Sequence, residues 1–235
     1  MTKKHIIDGY ADILYLDHHL IVCNKYPEIS VIPERAGTRG RVSLRERLEQ
    51  KFGEKVFVVH RIDRATSGLV VFSRTASVHR MLNMQFELRR VLKVYLALVE
   101  GVVDGRMTID APLRQFGSGR MGVHADGKPS LTDIVVVERC NGTTLVKAMP
   151  KTGRRHQIRV HLFHSGHPVM GDPFYGKERP VGGVERMMLH AASISFTYPE
   201  GKMFHIEAPV DSMWKRCINR YRLRDGVSSG NCSHL

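Results

Sequence analysis

Cysteine is scarce and scattered in this chain. The four that occur, Cys23, Cys140, Cys217 and Cys232, form no Cys-x-x-Cys pair, which excludes a disulfide scaffold or a zinc ribbon and places the protein in a reducing compartment, the cytoplasm. No apolar run approaches the roughly 20 residues that a bilayer crossing requires. Met1-Thr2-Lys3-Lys4-His5 leads into no signal-type apolar core. No internal repeat or low-complexity tract stands out. Acidic side chains are also in short supply: 23 Asp and Glu against 36 Lys and Arg leave a formal charge of +13. Folding does not need such an excess. It points to a polyanionic partner, nucleic acid ahead of an acidic membrane surface.

What is present is an ordinary globular composition, 42% hydrophobic and 25% charged over 235 residues, enough for one large domain or two small ones. Ile13 to Leu16 and Leu20 to Cys23 are apolar runs around Asp17-His18-His19 and predict a hairpin. Ser43-Leu44-Arg45-Glu46 is a capping box that opens a helix ending before Gly53. Thr75 or Ser77 caps a second helix. Residues 117–130, rich in glycine, read as a flexible loop bearing Arg120, His124 and Lys128, and the tail 225–235 reads as disordered. Short strands with few helices predict an α+β fold.

The richest segment is His60-Arg61-Ile62-Asp63-Arg64-Ala65-Thr66-Ser67-Gly68, bounded by the apolar runs Val56–Val59 and Leu69–Phe72. That pattern reads as strand, loop, strand, with a carboxylate between two arginines on the loop. Taken alone, an Asp beside Arg is ordinarily a solvated ion pair of little consequence. The segment, however, resembles the signature of the RluA family of pseudouridine synthases, His-Arg-Leu-Asp ending in Thr-Ser-Gly. Further segments follow in order. Lys93-Val94-Tyr95-Leu96-Ala97-Leu98-Val99-Glu100-Gly101 is similar to the family's Lys-x-Tyr-x-Ala-x-Val-x-Gly strand. Gly153-Arg154-Arg155-His156-Gln157-Ile158-Arg159-Val160-His161 is similar to its Gly-Arg-x-His-Gln-Ile-Arg-x-His segment, and Gly171-Asp172-Pro173-Phe174-Tyr175-Gly176 comes next. Leu189-His190-Ala191 and Glu207-Ala208-Pro209 resemble the closing strands, so the likeness runs from Ile13 to Trp214.

The resemblance implies isomerisation of uridine in structured RNA, ribosomal or transfer, to pseudouridine. The bond from ribose to nitrogen 1 breaks, the uracil turns, and carbon 5 joins the sugar. No metal, redox cofactor or ATP is implied. Asp63 matches the catalytic aspartate, and three chemistries are open to it: attack on the sugar, attack on the uracil ring, or removal of a proton. Arg159 matches the cation that keeps this carboxylate ionised. Its segment reads as a helix stopped by Gly166 and Pro168, with Arg155 and Arg159 on one face. Tyr95, by itself a candidate core residue, matches the residue placed against the uracil. Arg61 is expected to brace the gap left by an extruded base; Arg64, Lys93, Arg154, Arg155 and His156 are expected RNA contacts. His156, His161, His164 and His167 fit no zinc spacing, so no metal site is expected.

The expected architecture is therefore an α+β catalytic domain over residues 13–224, built on a mixed, largely antiparallel sheet with a basic active-site cleft, after an N-terminal extension over 1–12. Only about a dozen residues precede the match, so the accessory N-terminal RNA-binding module of many members is expected to be missing. A monomer without membrane association is expected. Two rival functions share the fold or the carboxylate. A silent RNA-binding or assembly factor would dispense with Asp63, Tyr95 or Arg159, and a nucleoside hydrolase would release free uracil. Two departures stand out. The early family segment Asn-Lys-Pro-x-Gly is here Asn24-Lys25-Tyr26-Pro27-Glu28, and Tyr198 stands where His-Pro is common.

Overall fold

Asp17 shows how the first hairpin closes. Its Oδ1 accepts the backbone N–H groups of His19 and Leu20 at 2.8 and 2.7 Å, and its Oδ2 accepts the Tyr15 hydroxyl at 2.9 Å and the Tyr198 hydroxyl. Burial opposes ionisation of this carboxyl, yet the hydrogen bonds outweigh it and hold Asp17 below the usual carboxylate range. The departure at Tyr198 is thus put to structural use. In the computed structural model, which describes residues 5–34, 42–140, 142–176, 184, 186–198 and 201–224, the chain divides into two compact units. The first comprises residues 1–92 and 191–209, the second residues 93–190 and 210–235. The tail from 225 lies outside the described residues.

In the first unit, β1 (His5–Ile7), β2 (Ala11–Leu16) and β3 (Leu20–Lys25) form an antiparallel meander. The sheet therefore starts inside the segment read as an extension. Ser43 caps α1 (Leu44–Phe52) through the expected box, and Gly53 ends it in the left-handed conformation. β4 (Phe57–Val58) and β5 (Ser67–Ser73) pair antiparallel around the Asp63 loop, the expected strand, loop, strand. β3 and β5 are adjacent and every residue of both is buried. α2 (Ala76–Glu87) is capped by Thr75.

The second unit carries β6 (Leu92–Glu100), β7 (Arg106–Asp110), β10 (Leu131–Cys140) and β11 (Thr143–Pro150) as an antiparallel sheet in the order β6-β11-β10-β7. Residues 117–130 are more ordered in pattern than a plain loop: β8 (Leu113–Gln115) pairs with β9 (Met121–Val123) as a separate two-stranded sheet. Leu113, Val160 and Tyr175 pack beneath it, with Met121 and Val123 against them. α3 (Gln157–His164) follows. Arg155 lies in the turn ahead of it rather than on its face, because His156 takes a left-handed φ of 55°.

β12 (Leu189–Thr197), from Ala191 onward, and β13 (Met203–Glu207) complete the first unit, while α4 (Ser212–Arg224) belongs to the second and buries Trp214 and Ile218. Gln85 of α2 donates to the Thr197 carbonyl and accepts from its N–H, both at 2.8 Å, tying helix to strand. The architecture is α+β with a largely antiparallel sheet, as expected. No helix among the described residues is long and apolar enough to cross a membrane.

Gly68 is where β5 tolerates no side chain. Its φ is +105°, and a Cβ there would stand 2.3 Å from the Ala191 carbonyl oxygen. Gly68→Ala is expected to cost roughly 3 kcal/mol, overpacking and backbone strain together. Gly53, with φ +65° but open space around it, should cost only about 1 kcal/mol on the same change. Urea midpoints of the two variants check the contrast; equal losses would contradict it.

Candidate active site

The Asp63 loop is held from several sides. Thr66 N–H donates to the Asp63 carbonyl at 3.1 Å, closing a tight turn with Arg64 and Ala65 at its tip. Beneath it, the fully buried Lys25 donates from Nζ to the carbonyls of Arg64 and Tyr26 at 3.0 and 2.8 Å. His60 Nε2 accepts the Val71 N–H at 3.1 Å while its ring stacks on Phe86, 5.3 Å between centroids. Ile62, Thr66 and Ser67 are buried; Asp63 is half-buried and Arg61 exposed. The loop thus presents a half-buried carboxylate and an exposed cation from a fixed backbone.

Arg64 is less available than expected. Its guanidinium meets the Glu28 carboxylate at 3.1 Å and donates from Nε to the Glu28 carbonyl at 3.3 Å. Counted from Asn24-Lys25, Glu28 stands at the family's glycine position, and it adopts φ 62°, the left-handed region glycine favours. The departure is therefore compensated in part by an ion pair that draws in an expected RNA contact.

In the second unit, Arg159 is almost wholly enclosed. Its Nε and Nη2 donate to Asp172 Oδ2 and Oδ1 at 2.7 and 2.8 Å, with side-chain exposures of 3% and 0%. Asp172 Oδ1 also accepts the N–H groups of Phe174 and Tyr175. The guanidinium carbon lies 5.1 Å from the Tyr175 ring centroid and 5.6 Å from that of Phe174. Two aromatic rings and a bidentate carboxylate leave this cation a fixed orientation. Tyr95 is half-buried on β6, in register with Ala148 of β11.

A second network fixes the turn ahead of α3. Gln157 is buried; its Oε1 accepts from Thr152 Oγ1 at 2.6 Å and Arg154 N–H at 3.0 Å, and its Nε2 donates to Leu131 O and Thr132 Oγ1. His161, wholly buried, bonds the Ala111 carbonyl through Nε2 and Thr132 Oγ1 through Nδ1, each at 2.9 Å. The carbonyl has no proton to give, so Nε2 carries the hydrogen and Nδ1 accepts. Burial lowers the pKa of this imidazole, in keeping with the neutral form. His156 Nδ1 shares a hydrogen bond of 2.9 Å with the Tyr175 hydroxyl, and its ring stacks on Phe174. His167 Nδ1 meets the Glu100 carbonyl at 3.0 Å. Among the described residues no three potential ligands gather for a metal.

Lys93 donates to the Thr152 carbonyl at 3.4 Å, and burial brings its ammonium down to about 8. Asp63, Arg61 and Arg64 thus lie on a first-unit loop, while Lys93, Tyr95, Arg154, Arg155, His156 and Arg159 belong to the second unit. Sequence reasoning gave no role to Lys25 or Gln157. A lysine closing a strand that opens with the apolar run Leu20–Cys23 was the available signal for the first.

Comparison with known proteins places this arrangement. The sequence profile described as RNA pseudouridylate synthase matches residues 19–164. The chain belongs to the RNA pseudouridylate synthase family. It is 40% identical to ribosomal large subunit pseudouridine synthase C of Yersinia pestis, over 92% of this chain and 71% of that protein. Its identity to the Escherichia coli protein of the same name is 39%, over 89% and 70%. Among solved structures, human RNA pseudouridylate synthase domain containing 1 superposes with a TM-score of 0.74 at 27% identity, over 94% of this chain and 98% of that one. The RluA-type resemblance is borne out, and the protein is an RNA pseudouridine synthase.

The Arg159–Asp172 pair generates a prediction. Asp172→Ala leaves a buried guanidinium without its carboxylate and should cost about 3–5 kcal/mol. Asp172→Asn, which retains the acceptor oxygen, should lose less. Chemical denaturation of both variants provides the check, and a loss under about 1 kcal/mol for Asp172→Ala, the scale of a surface pair, would contradict it.

Proposed function

We propose that Asp63 is the reacting carboxylate of this synthase, that Tyr95 and Arg159 serve the same chemistry, and that the substrate is a stem-loop of large-subunit ribosomal RNA. The observation that carries the first part is the Asp63 loop. Lys25, His60 and Gly68 constrain its backbone from separate elements while the carboxylate stays half-buried, the kind of rigid support a reacting group requires. Arg159, immobilised by Asp172, Phe174 and Tyr175, suits a role in orientation rather than loose attraction of phosphate. The retention of all three residues speaks against a silent assembly factor.

Arg61 is exposed two residues before Asp63 and suits insertion beside an extruded base. Single-stranded loops offer bases that are cheaply extruded, and the +13 charge supplies attraction to the backbone. The choice of large-subunit RNA rests on the names of the bacterial relatives. A monomer acting in the cytoplasm completes the proposal.

Asp63→Asn retains size and hydrogen bonding but removes the charged oxygen, so turnover should vanish while RNA affinity stays within about twofold. Tritium release from 5-tritiated uridine RNA, with filter binding alongside, is the test; retained turnover would overturn the assignment, and free uracil from the unaltered protein would indicate a hydrolase. Stem-loops from large-subunit and transfer RNA, compared in the same assay, decide the substrate.

Lys93 yields a pH prediction. Its folded-state value of about 8 lies below the ordinary 10.5, so the unfolded chain holds more protons between those limits and burial of the charge costs stability below about 8, a cost that fades as pH rises. Phosphate contact should restore the proton. RNA affinity should therefore fall roughly tenfold, the scale of one charge-assisted hydrogen bond, between pH 7 and 9. In Lys93→Arg the fall should disappear, and an unchanged pH profile in that variant would refute a phosphate role.

A further inference from the structure

We propose that a pocket in the second unit, where the β8–β9 hairpin faces the turn ahead of α3, binds one nucleotide of the RNA other than the target uridine. The inference rests on the reading of this protein as an enzyme for stem-loop RNA and adds a second point of recognition to it. The cavity measures about 410 Å³, within the range of small-ligand sites, roughly 300–1,000 Å³. Arg114, Lys128, Arg154 and Arg155 line it, together with apolar Leu113 and Met121. Asp63, Tyr95 and Arg159 do not. A bare phosphate would need only the cations; the apolar lining also suits the flat face of a base, and the combination matches a nucleotide.

The walls are preorganised. Leu113 and Lys128 exchange both backbone hydrogen bonds, at 3.0 and 2.8 Å. Gly127 lies so close to Leu113 that a Cβ would stand 2.7 Å from its backbone, which fixes the rim carrying Lys128. On the opposite wall Arg154 is anchored through its N–H on Gln157 and its Nε on the Pro129 carbonyl, at 3.0 and 3.4 Å. Arg114 lies 5.1 Å over the Phe116 ring and 3.7 Å from Asp126, the one carboxylate among the lining residues. Four cations against one anion leave a net positive pocket, and its backbone walls are fixed before a phosphate enters.

The test is an abasic scan. Stem-loops carrying a single abasic position at each nucleotide around the target are titrated against the unaltered protein and against Arg114→Gln/Lys128→Gln, by fluorescence anisotropy and by tritium release. For the unaltered protein one position other than the target should weaken binding about tenfold, the scale of one stacked base. In the double variant that position should become silent, while single-turnover rates at saturating enzyme stay normal. Equal weakening at every position, or an abasic loss that survives in the double variant, would reduce the cations to general phosphate contacts and overturn the proposal. A loss of the helical and sheet circular dichroism in the double variant moves the scan to Arg114→Gln alone, with the same criteria. Adenosine and uridine monophosphates serve as competitors. Competition at micromolar concentration would mark a free-nucleotide site and overturn an RNA subsite, whereas indifference up to millimolar supports it. Turnover without positional coupling defeats only this inference; coupling without turnover defeats only the enzymatic assignment of Asp63. Failure of every stem-loop to bind at low salt overturns both.

Discussion

The bidentate pair of Arg159 and Asp172 is the constraint around which the α3 end of the second unit is organised. A buried guanidinium is expensive unless its donors are met, and Asp172 meets two of them while its Oδ1 also holds the N–H groups of Phe174 and Tyr175. The same carboxylate therefore fixes a cation and the two rings that flank it. Tyr175 passes the constraint on: its hydroxyl accepts the Met121 N–H at 3.1 Å and bonds His156. Helix start, hairpin and aromatic segment become one rigid set through a single acidic residue.

The first unit solves a similar problem by different means. Hydrogen bonds from Lys25 and to His60 hold the backbone of the Asp63 loop, and Gly68 permits a close backbone approach that a larger residue would block. Both solutions support a polar group on a backbone that cannot relax away from it. Pseudouridine formation rearranges bonds within one nucleoside, a reaction in which fixed positioning of the reacting groups carries much of the effect.

Much of this was legible in the sequence because it rests on local rules. The Ser43 box, the Thr75 cap and the strands around residues 60–68 follow from short patterns whose physics is complete within a few residues. The β8–β9 hairpin was not legible. Its glycines read as flexibility, whereas Gly122 and Gly127 are there because the Phe116 ring and the Leu113 backbone approach within 2.7 Å of where a Cβ would stand. The turn at His156 was missed because a non-glycine residue in the left-handed region is paid for by contacts from distant segments. Burial of Lys25 and the pairing of Arg159 with Asp172 are likewise long-range, and no local pattern announces them.

Gly68 and Ala191 also bear on how the molecule is made. The strand that carries the signature loop finishes its packing only against a segment synthesised far later, after nearly all of the second unit. During translation the first unit must therefore wait, its largely apolar β5 lacking the neighbour that β12 later provides. An edge of that kind invites association with other chains. For this protein the vulnerable interval lies before the ribosome has released residue 191, and a chaperone that covers bare strand edges would act there.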